Sequence, residues 1–289
     1  MPVRLRRFLP VLLVLLAVSF TGVKLSTAQD GFTAQLFGLE TGSFPHLTAY
    51  LNVHDPTGAF VHGLTPQDVV LQENNQPISP NVLEEHKPGV QLVVAITPGD
   101  TFTIRDGQGV SRYEYLLQGI RAGSWLGQPA GVDDFSLLTI GGPQLTHSSD
   151  PDDLVTALEQ YQITGTLAAP NLEVLSSAIQ VMAGSTLRPG MERTILFITP
   201  PQDNEVSLGL QSIITSAIQE NIHIYVWMVA AQEVFALPEI DLLRNLAAQT
   251  EASFFAFSHE EPVPDLETIL EPMRYVYQLG YDSRVTNPG

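Results

Sequence analysis

The feature that most constrains the fold is an alternation of apolar runs with helix-like segments, which begins at Gly89. The apolar runs have the length and composition of buried strands, and they lie at 91–96, 135–140, 194–198, 222–229 and 252–257. Because parallel strands need crossover connections, the alternation predicts an α/β fold. We expect a doubly wound, mainly parallel sheet with helices on both faces.

The segments between these runs carry the spacing of helices with one apolar face. We predict helices at 113–126, 151–161, 171–183, 206–220, 238–249 and 265–275. In a doubly wound sheet, the loops at the carboxyl ends of the strands carry the binding site. In this chain those loops begin at Thr97, Gly141, Thr199 and Ala230.

Residues 29–88 precede this pattern and are predicted to be a small β-strand region. The stretch 47–53 alternates apolar and polar residues, as does a strand with one buried face. The runs 60–64 and 69–73 are predicted to be further strands. We interpret 80–88, which is bounded by prolines, as a linker.

The first 28 residues have the three parts of a secretory signal peptide. Arg4, Arg6 and Arg7 precede an apolar run from Phe8 to Phe20, and small residues follow at 26–28. We predict that 1–28 is removed and that the protein is exported, to the cell surface, the exterior or the membrane. The alternative is an uncleaved anchor, although the run is short for a bilayer span. Apart from this segment, membrane contact is expected only through a C-terminal part of a longer protein that this chain does not include.

Charge and cysteine content exclude several classes of partner. The chain has 31 acidic against 13 basic residues, a formal net charge of −18, and no cysteine. Four of the basic residues and none of the acidic ones lie in the first 28 positions, so the remainder is more acidic still. Nucleic acid is therefore not an expected partner. Disulfides and thiolate metal sites are excluded.

The stretch 89–276 resembles a von Willebrand factor type A (VWA) domain. The match rests on a polar loop at 97–101, a Thr-Gly-Thr loop at 164–166, and helix-to-strand steps at 217–225 and 246–254. Residues 53–65 resemble the small β-region that precedes such domains in many bacterial exported proteins. The resemblance rests on the order of strands, helices and loops along the chain, and no single motif is decisive.

The chain ends with a segment, 277–289, that opens with the alternation of a strand. It either pairs with the N-terminal β-region or begins a domain that continues beyond this chain. The residues alone do not decide between the two.

The resemblance implies a metal-ion-dependent adhesion site, in which an Asp-x-Ser-x-Ser loop, a second-loop Thr and a third-loop Asp hold a Mg²⁺-like ion. Here Thr97 stands at the leading Asp, Gly99 at the first Ser, and Thr101 keeps the last hydroxyl. Pro200 stands at the third-loop Asp. Hard divalent ions need carboxylate oxygens, so we predict no bound metal and no cofactor.

Other residues of the same loops leave an alternative open. Thr164 or Thr166 could supply the second-loop hydroxyl, and Asp100 or Asp203 could swing inward as a replacement carboxylate. Weak Mg²⁺ or Ca²⁺ binding is the corresponding alternative, with a non-standard divalent site.

We find no arrangement typical of an enzyme. The chain has no Gly-x-Ser-x-Gly elbow, no phosphate-cradling Gly-Lys-Ser/Thr loop and no pair of histidines with metal-ligand spacing. His223 is expected to be a core histidine with a satisfied nitrogen. Phe102, Trp125 and Phe235 are candidate exposed anchors for a metal-free site, with Trp125 in the core as the alternative.

The function expected from the resemblance is an extracytoplasmic protein–protein interaction module that binds an unknown partner protein without a metal ion. The alternative is a scaffold or assembly subunit of a membrane-anchored surface complex.

Overall fold

The computed structural model describes residues 31–163, 171–183, 188–202 and 207–285, and the backbone alone of 12–16 and 26–27. The chain divides into two compact units. One unit is Gly89–Arg274, and the other comprises the residues up to Pro88 together with the segment from Tyr275.

The unit that includes the N-terminal residues is built from β-strands. Its strands before Pro88 are β1 (Leu12–Leu16), β2 (Ser26–Thr27), β3 (Thr33–Glu40), β4 (His46–His54), β5 (Val69–Glu73), β6 (Gln76–Ile78) and β7 (Val82–His86). The strand order is β1-β5-β6 in one sheet. In the other it is β2-β3-β4, then the last strand of the chain, then β7.

Two predictions for this region are wrong. The stretch 60–64 is not a strand, because only Phe60 forms a bridge, to His54, and Gly63 has a φ of +76°. The predicted linker 80–88 contains β7. The partner of β7 is the strand Val276–Asp282, and a partner so distant along the chain leaves no local pattern.

The α/β unit contains a six-stranded sheet. Its strands are β8 (Val90–Ile96), β9 (Asp134–Thr139), β10 (Gly142–Ser148), β11 (Glu192–Thr199), β12 (Ile222–Val229) and β13 (Phe254–Phe257). The order is β10-β9-β8-β11-β12-β13, and every pairing except that of β10 with β9 is parallel. The predicted doubly wound, mainly parallel sheet is confirmed.

Helices cover both faces of this sheet. They are α1 (Asp100–Thr103), α2 (Arg112–Arg121), α3 (Pro151–Gln160), α4 (Glu173–Met182), α5 (Ser207–Gln219), α6 (Asp241–Gln249) and α7 (Glu267–Met273). One apolar core contains side chains of α4, α5 and α6, and a second contains those of α1, α2, α3 and α7. Alternate residues of the strands enter the two cores: on β8, Val93 and Ala95 enter one, and Leu92 and Val94 the other.

The last strand, β14 (Val276–Asp282), lies antiparallel between β4 and β7. Leu279 is opposite Ala49 on one side and Leu83 on the other. All three side chains belong to the core of the β-unit.

None of the helices in the described part of the chain combines the length and the apolar character that crossing a bilayer requires.

Candidate functional site

The strand order reverses between β8 and β11, which are neighbours at the centre of the sheet. The loops that follow their carboxyl ends therefore flank the switch point, where ligands bind in sheets of this kind. The first loop begins at Thr97, whose backbone N–H donates to the carbonyl of Ile198, 3.0 Å away. The second begins after Thr199. Thr97 and Thr199 are both fully buried.

Gly99 and Pro200 bring these two loops into contact. A β-carbon built on Gly99 would lie 2.7 Å from Cγ and 2.9 Å from Cβ of Pro200, closer than side-chain atoms approach one another. Both residues are buried. The pyrrolidine ring therefore fills the space that a side chain at position 99 would need, and neither residue brings a side-chain oxygen to this point.

The hydroxyls of Thr97, Thr101 and Thr199, which are described, form hydrogen bonds within the protein. Thr101 Oγ1 donates to the carbonyl of Val229 at 2.6 Å, which ties the first loop to the end of β12. Thr97 Oγ1 makes a longer bond, 3.4 Å, to the carbonyl of Asn171. Thr199 Oγ1 accepts from Gln202 Nε2 at 2.6 Å. These contacts tie the first loop to the end of β12 and to Asn171, and they fix the start of the second loop.

The carboxylates that the structure describes at this edge do not form a group that could hold a cation. Asp100 is exposed at the start of α1. Thr164, Thr166 and Asp203 lie outside the described residues. Among the residues that the structure does describe, no group of three or more His, Asp or Glu side chains could hold a metal ion. The described donor set, hydroxyls beside a proline ring, does not fit a hard divalent cation.

The aromatic residues proposed as anchors are not exposed. Phe102 is fully buried and packs 6.1 Å from the ring of Tyr113, so that prediction is wrong. Trp125 is also fully buried, and its Nε1 donates to the carbonyl of Ile120 at 2.8 Å. Phe235 is partly buried against the core. Phe102 turns inward because the polar loop continues into the short helix α1, which the sequence did not indicate.

The exposed apolar residues near this edge are aliphatic. Ile104 follows α1 and is 47% exposed, Ile140 follows β9, and Leu237 lies beyond the end of β12. Anchors of this kind bury area on binding without a metal ion.

A groove of about 630 Å³ opens between α4 and α5. Leu172 and Ile213 are its buried apolar residues, and Ser176, Ser177 and Ser212 line it. The groove adjoins the same edge, because α4 follows Asn171, whose carbonyl accepts from Thr97.

Arg112 is a residue of this region that the sequence analysis missed. It is the first residue of α2 and is 8% exposed. A basic residue in the first turn opposes the helix dipole, which is a signal in the sequence that it makes a tertiary contact. Burial lowers the pKa of its guanidinium, and the charges of Glu233 and Glu261 act in the opposite direction.

His223 has the polar partner that was predicted, since its Nδ1 lies 3.1 Å from the carbonyl of Thr250.

Comparison with known proteins gave matches among solved structures only. No family model matches the chain, and no curated protein matches it. The conserved hypothetical protein BatB from Bacteroides thetaiotaomicron is 16% identical, with a TM-score of 0.45, over 58% of this chain and 90% of its own. The SpRpn10 VWA domain is 10% identical, with a TM-score of 0.45, over 64% and 97%.

A third similar structure is proximal thread matrix protein 1 from the mussel byssus, described with a zinc-occupied MIDAS motif. It is 12% identical, with a TM-score of 0.49, over 70% of this chain and 50% of that one. At these identities and TM-scores the matches carry no argument about function. The fold rests on the strand order and on the two helical layers.

Proposed function

We propose that this chain, whose Gly89–Arg274 unit has a VWA-like fold, is an exported protein-interaction module that binds a partner protein without a divalent ion. The binding surface is the set of loops at the carboxyl edge of the six-stranded sheet. The observation that carries the proposal is the packing of Pro200 against Gly99, which fills the switch point with an apolar contact.

The chemistry of hard cations supports the absence of an ion. Mg²⁺ and Ca²⁺ take oxygen ligands, and carboxylates balance their charge. Thr97 and Pro200 stand where the family pattern has those carboxylates, and Pro200 offers no side-chain oxygen at all. Thr101 donates its hydroxyl hydrogen to Val229.

Export is the second part of the proposal. It rests on the basic, apolar and small-residue segments of 1–28, which together are typical of a secretory signal. The acidic composition of the rest of the chain suits a soluble surface outside the cytoplasm.

The test compares partner capture by matched surface variants, with chelator present and absent. Ile104→Asp changes an exposed isoleucine at the carboxyl edge, whereas Ile218→Asp changes one near the end of α5, at the opposite edge. Neither substitution disturbs a buried side chain.

We expect the wild-type chain on intact cells to be cross-linked to the same partner protein, in the same amount, with and without EDTA. The same species should be lost in Ile104→Asp and retained in Ile218→Asp. Loss on adding EDTA, or equal loss in the two variants, would contradict the proposal.

A further inference from the structure

Three strand ends at the carboxyl edge are joined by a short chain of hydrogen bonds. Thr101, after β8, donates its hydroxyl to the carbonyl of Val229, the last residue of β12. Arg112 donates through Nη1 to the carbonyl of Thr101 at 3.4 Å. It also donates through Nε to the carbonyl of Ser258, which follows β13, at 3.0 Å. One guanidinium thus spans loops that are far apart along the chain.

The counter-charges of this guanidinium come from the same loops. Glu233 lies in the loop after β12 and Glu261 in the loop after β13, and both act electrostatically on Arg112. Glu261 also fixes the backbone that Arg112 contacts, because its carboxylate accepts from the N–H of Ser258 at 2.7 Å. The guanidinium therefore bonds to the loops after β8 and β13, and the charges of Glu233 and Glu261 favour its charged form.

Two local effects make the position of Arg112 energetically unfavourable. It stands at the amino end of α2, where the helix dipole disfavours a cation, and its burial removes hydration from a charged group. Ser111 and Glu114 already cap this helix, so the helix does not need Arg112 in order to begin. The tertiary contacts are what offset these costs.

We infer that Arg112 is an internal cation that holds the loops after β8, β12 and β13 in one arrangement. It is a positioning residue, and its planar fork of donors reaches two carbonyls at once, which a point charge does less well. That these loops bind a partner rests on the proposed function. That Arg112 fixes them does not, and the experiment below measures only the loops.

The test is amide hydrogen exchange of the full chain carrying Arg112→Ala. The matched control is Arg121→Ala, which removes an exposed arginine of the same helix that pairs with Glu159. We expect exchange in 100–103, 230–234 and 258–261 to rise about tenfold or more, the factor that loss of one charged hydrogen bond corresponds to. Exchange in β8 and β11 should not change, and the control should behave as wild type.

Chemical rescue distinguishes a local effect of the Arg112 guanidinium from a general loss of stability in Arg112→Ala. Guanidinium at a millimolar, non-denaturing concentration should restore protection of the loops in Arg112→Ala. Equal ionic strengths of NaCl or MgCl₂ should not. Unchanged loop exchange in Arg112→Ala, an equal rise throughout the chain, or restoration by MgCl₂ in place of guanidinium would overturn the inference.

A conservative variant keeps the test decisive if Arg112→Ala does not fold. Arg112→Lys retains the charge and the apolar stem but lacks the planar fork. We expect the amide exchange of the three loops to be faster than in wild type but slower than in the unfolded chain. Wild-type protection of all three loops in Arg112→Lys would overturn the role assigned to the planar fork.

Discussion

The ring of Pro200 lies against the α-carbon of Gly99, so that a methyl group added at Gly99 would come within 2.7 Å of the ring. The contact closes the two loops that follow the neighbouring strands β8 and β11. It makes glycine necessary at position 99 for reasons of space, since Gly99 does not have a positive φ.

Gly99→Ala should therefore destabilise the chain. Overpacking of a closely packed contact costs about 1–3 kcal/mol, and we expect a loss of that order in denaturant unfolding. Gly107→Ala is the matched control, because a β-carbon there meets nothing within 4 Å. The cost should shrink when Gly99→Ala is combined with Pro200→Ala. Equal costs of Gly99→Ala with and without the proline would show that the ring is not the obstacle.

Substitution can introduce the side-chain oxygens that the family pattern has at positions 97, 99 and 200. In the triple variant Thr97→Asp, Gly99→Ser, Pro200→Asp an open side chain replaces the closed ring beside Gly99, and two carboxylates and a hydroxyl stand at the switch point. We expect this variant to bind Mn²⁺ in calorimetry, and Gly99→Ser alone to bind none. The account would be wrong if the wild-type chain bound Mn²⁺ as tightly as the triple variant.

A buried ion pair links the two ends of the Gly89–Arg274 unit. Arg274 and Asp133 are both almost fully buried, with Arg274 Nε 2.9 Å from Asp133 Oδ2. Asp133 Oδ1 accepts from the N–H of Val90 at 3.0 Å, and the carbonyl of Arg274 accepts from the N–H of Gly89.

Arg274→Met should cost about 3–5 kcal/mol in chemical denaturation, because it leaves a buried carboxylate without its partner. The double variant with Asp133→Asn should lose less than the sum of the two single variants. Strict additivity would mean that the pair is not coupled.

The buried carboxyl of Glu192 is expected to make the folded chain more stable at acidic than at alkaline pH. Its carboxyl is buried at the start of β11, and burial, followed by the charge of Glu251, raises its pKa well above the ordinary value. The folded chain therefore holds this proton at pH values where the unfolded chain has released it. The contribution is complete below the unfolded pKa and is lost as pH rises towards the folded pKa.

Glu192→Gln should accordingly raise the unfolding free energy more at pH 8 than at pH 4. The measurement is urea unfolding at both values, with Glu173→Gln, an exposed acid on α4, as the control. An equal effect of Glu192→Gln at the two pH values would contradict this assignment.

The parts of the fold that the sequence predicted are those whose signal is local. β8, β11 and β12 are apolar on both faces, so their residues marked them as central strands. The edge strand β10 is polar and irregular, with two shifts of register, and no apolar pattern indicated it. β7 depends on β14 for pairing, which no neighbouring residue reveals.

The site was predictable only in part for the same reason. The loops that begin at Thr97 and Thr199 followed from the alternation of strands and helices, and the structure brings Gly99 and Pro200 of these loops together. The inward turn of Phe102 and the contacts of Arg112 depend on residues more than ten positions away, such as Tyr113 and Ser258. Local spacing does not contain that information.

The central claim is that the switch point no longer accommodates a divalent ion, and calorimetric titration of the wild-type chain with Mg²⁺ and Mn²⁺ tests it most directly. The account predicts no saturable heat at concentrations up to about 1 mM, the weak end of extracellular carboxylate sites. A stoichiometric isotherm with tighter binding, abolished by Asp100→Asn or Asp203→Asn, would contradict it.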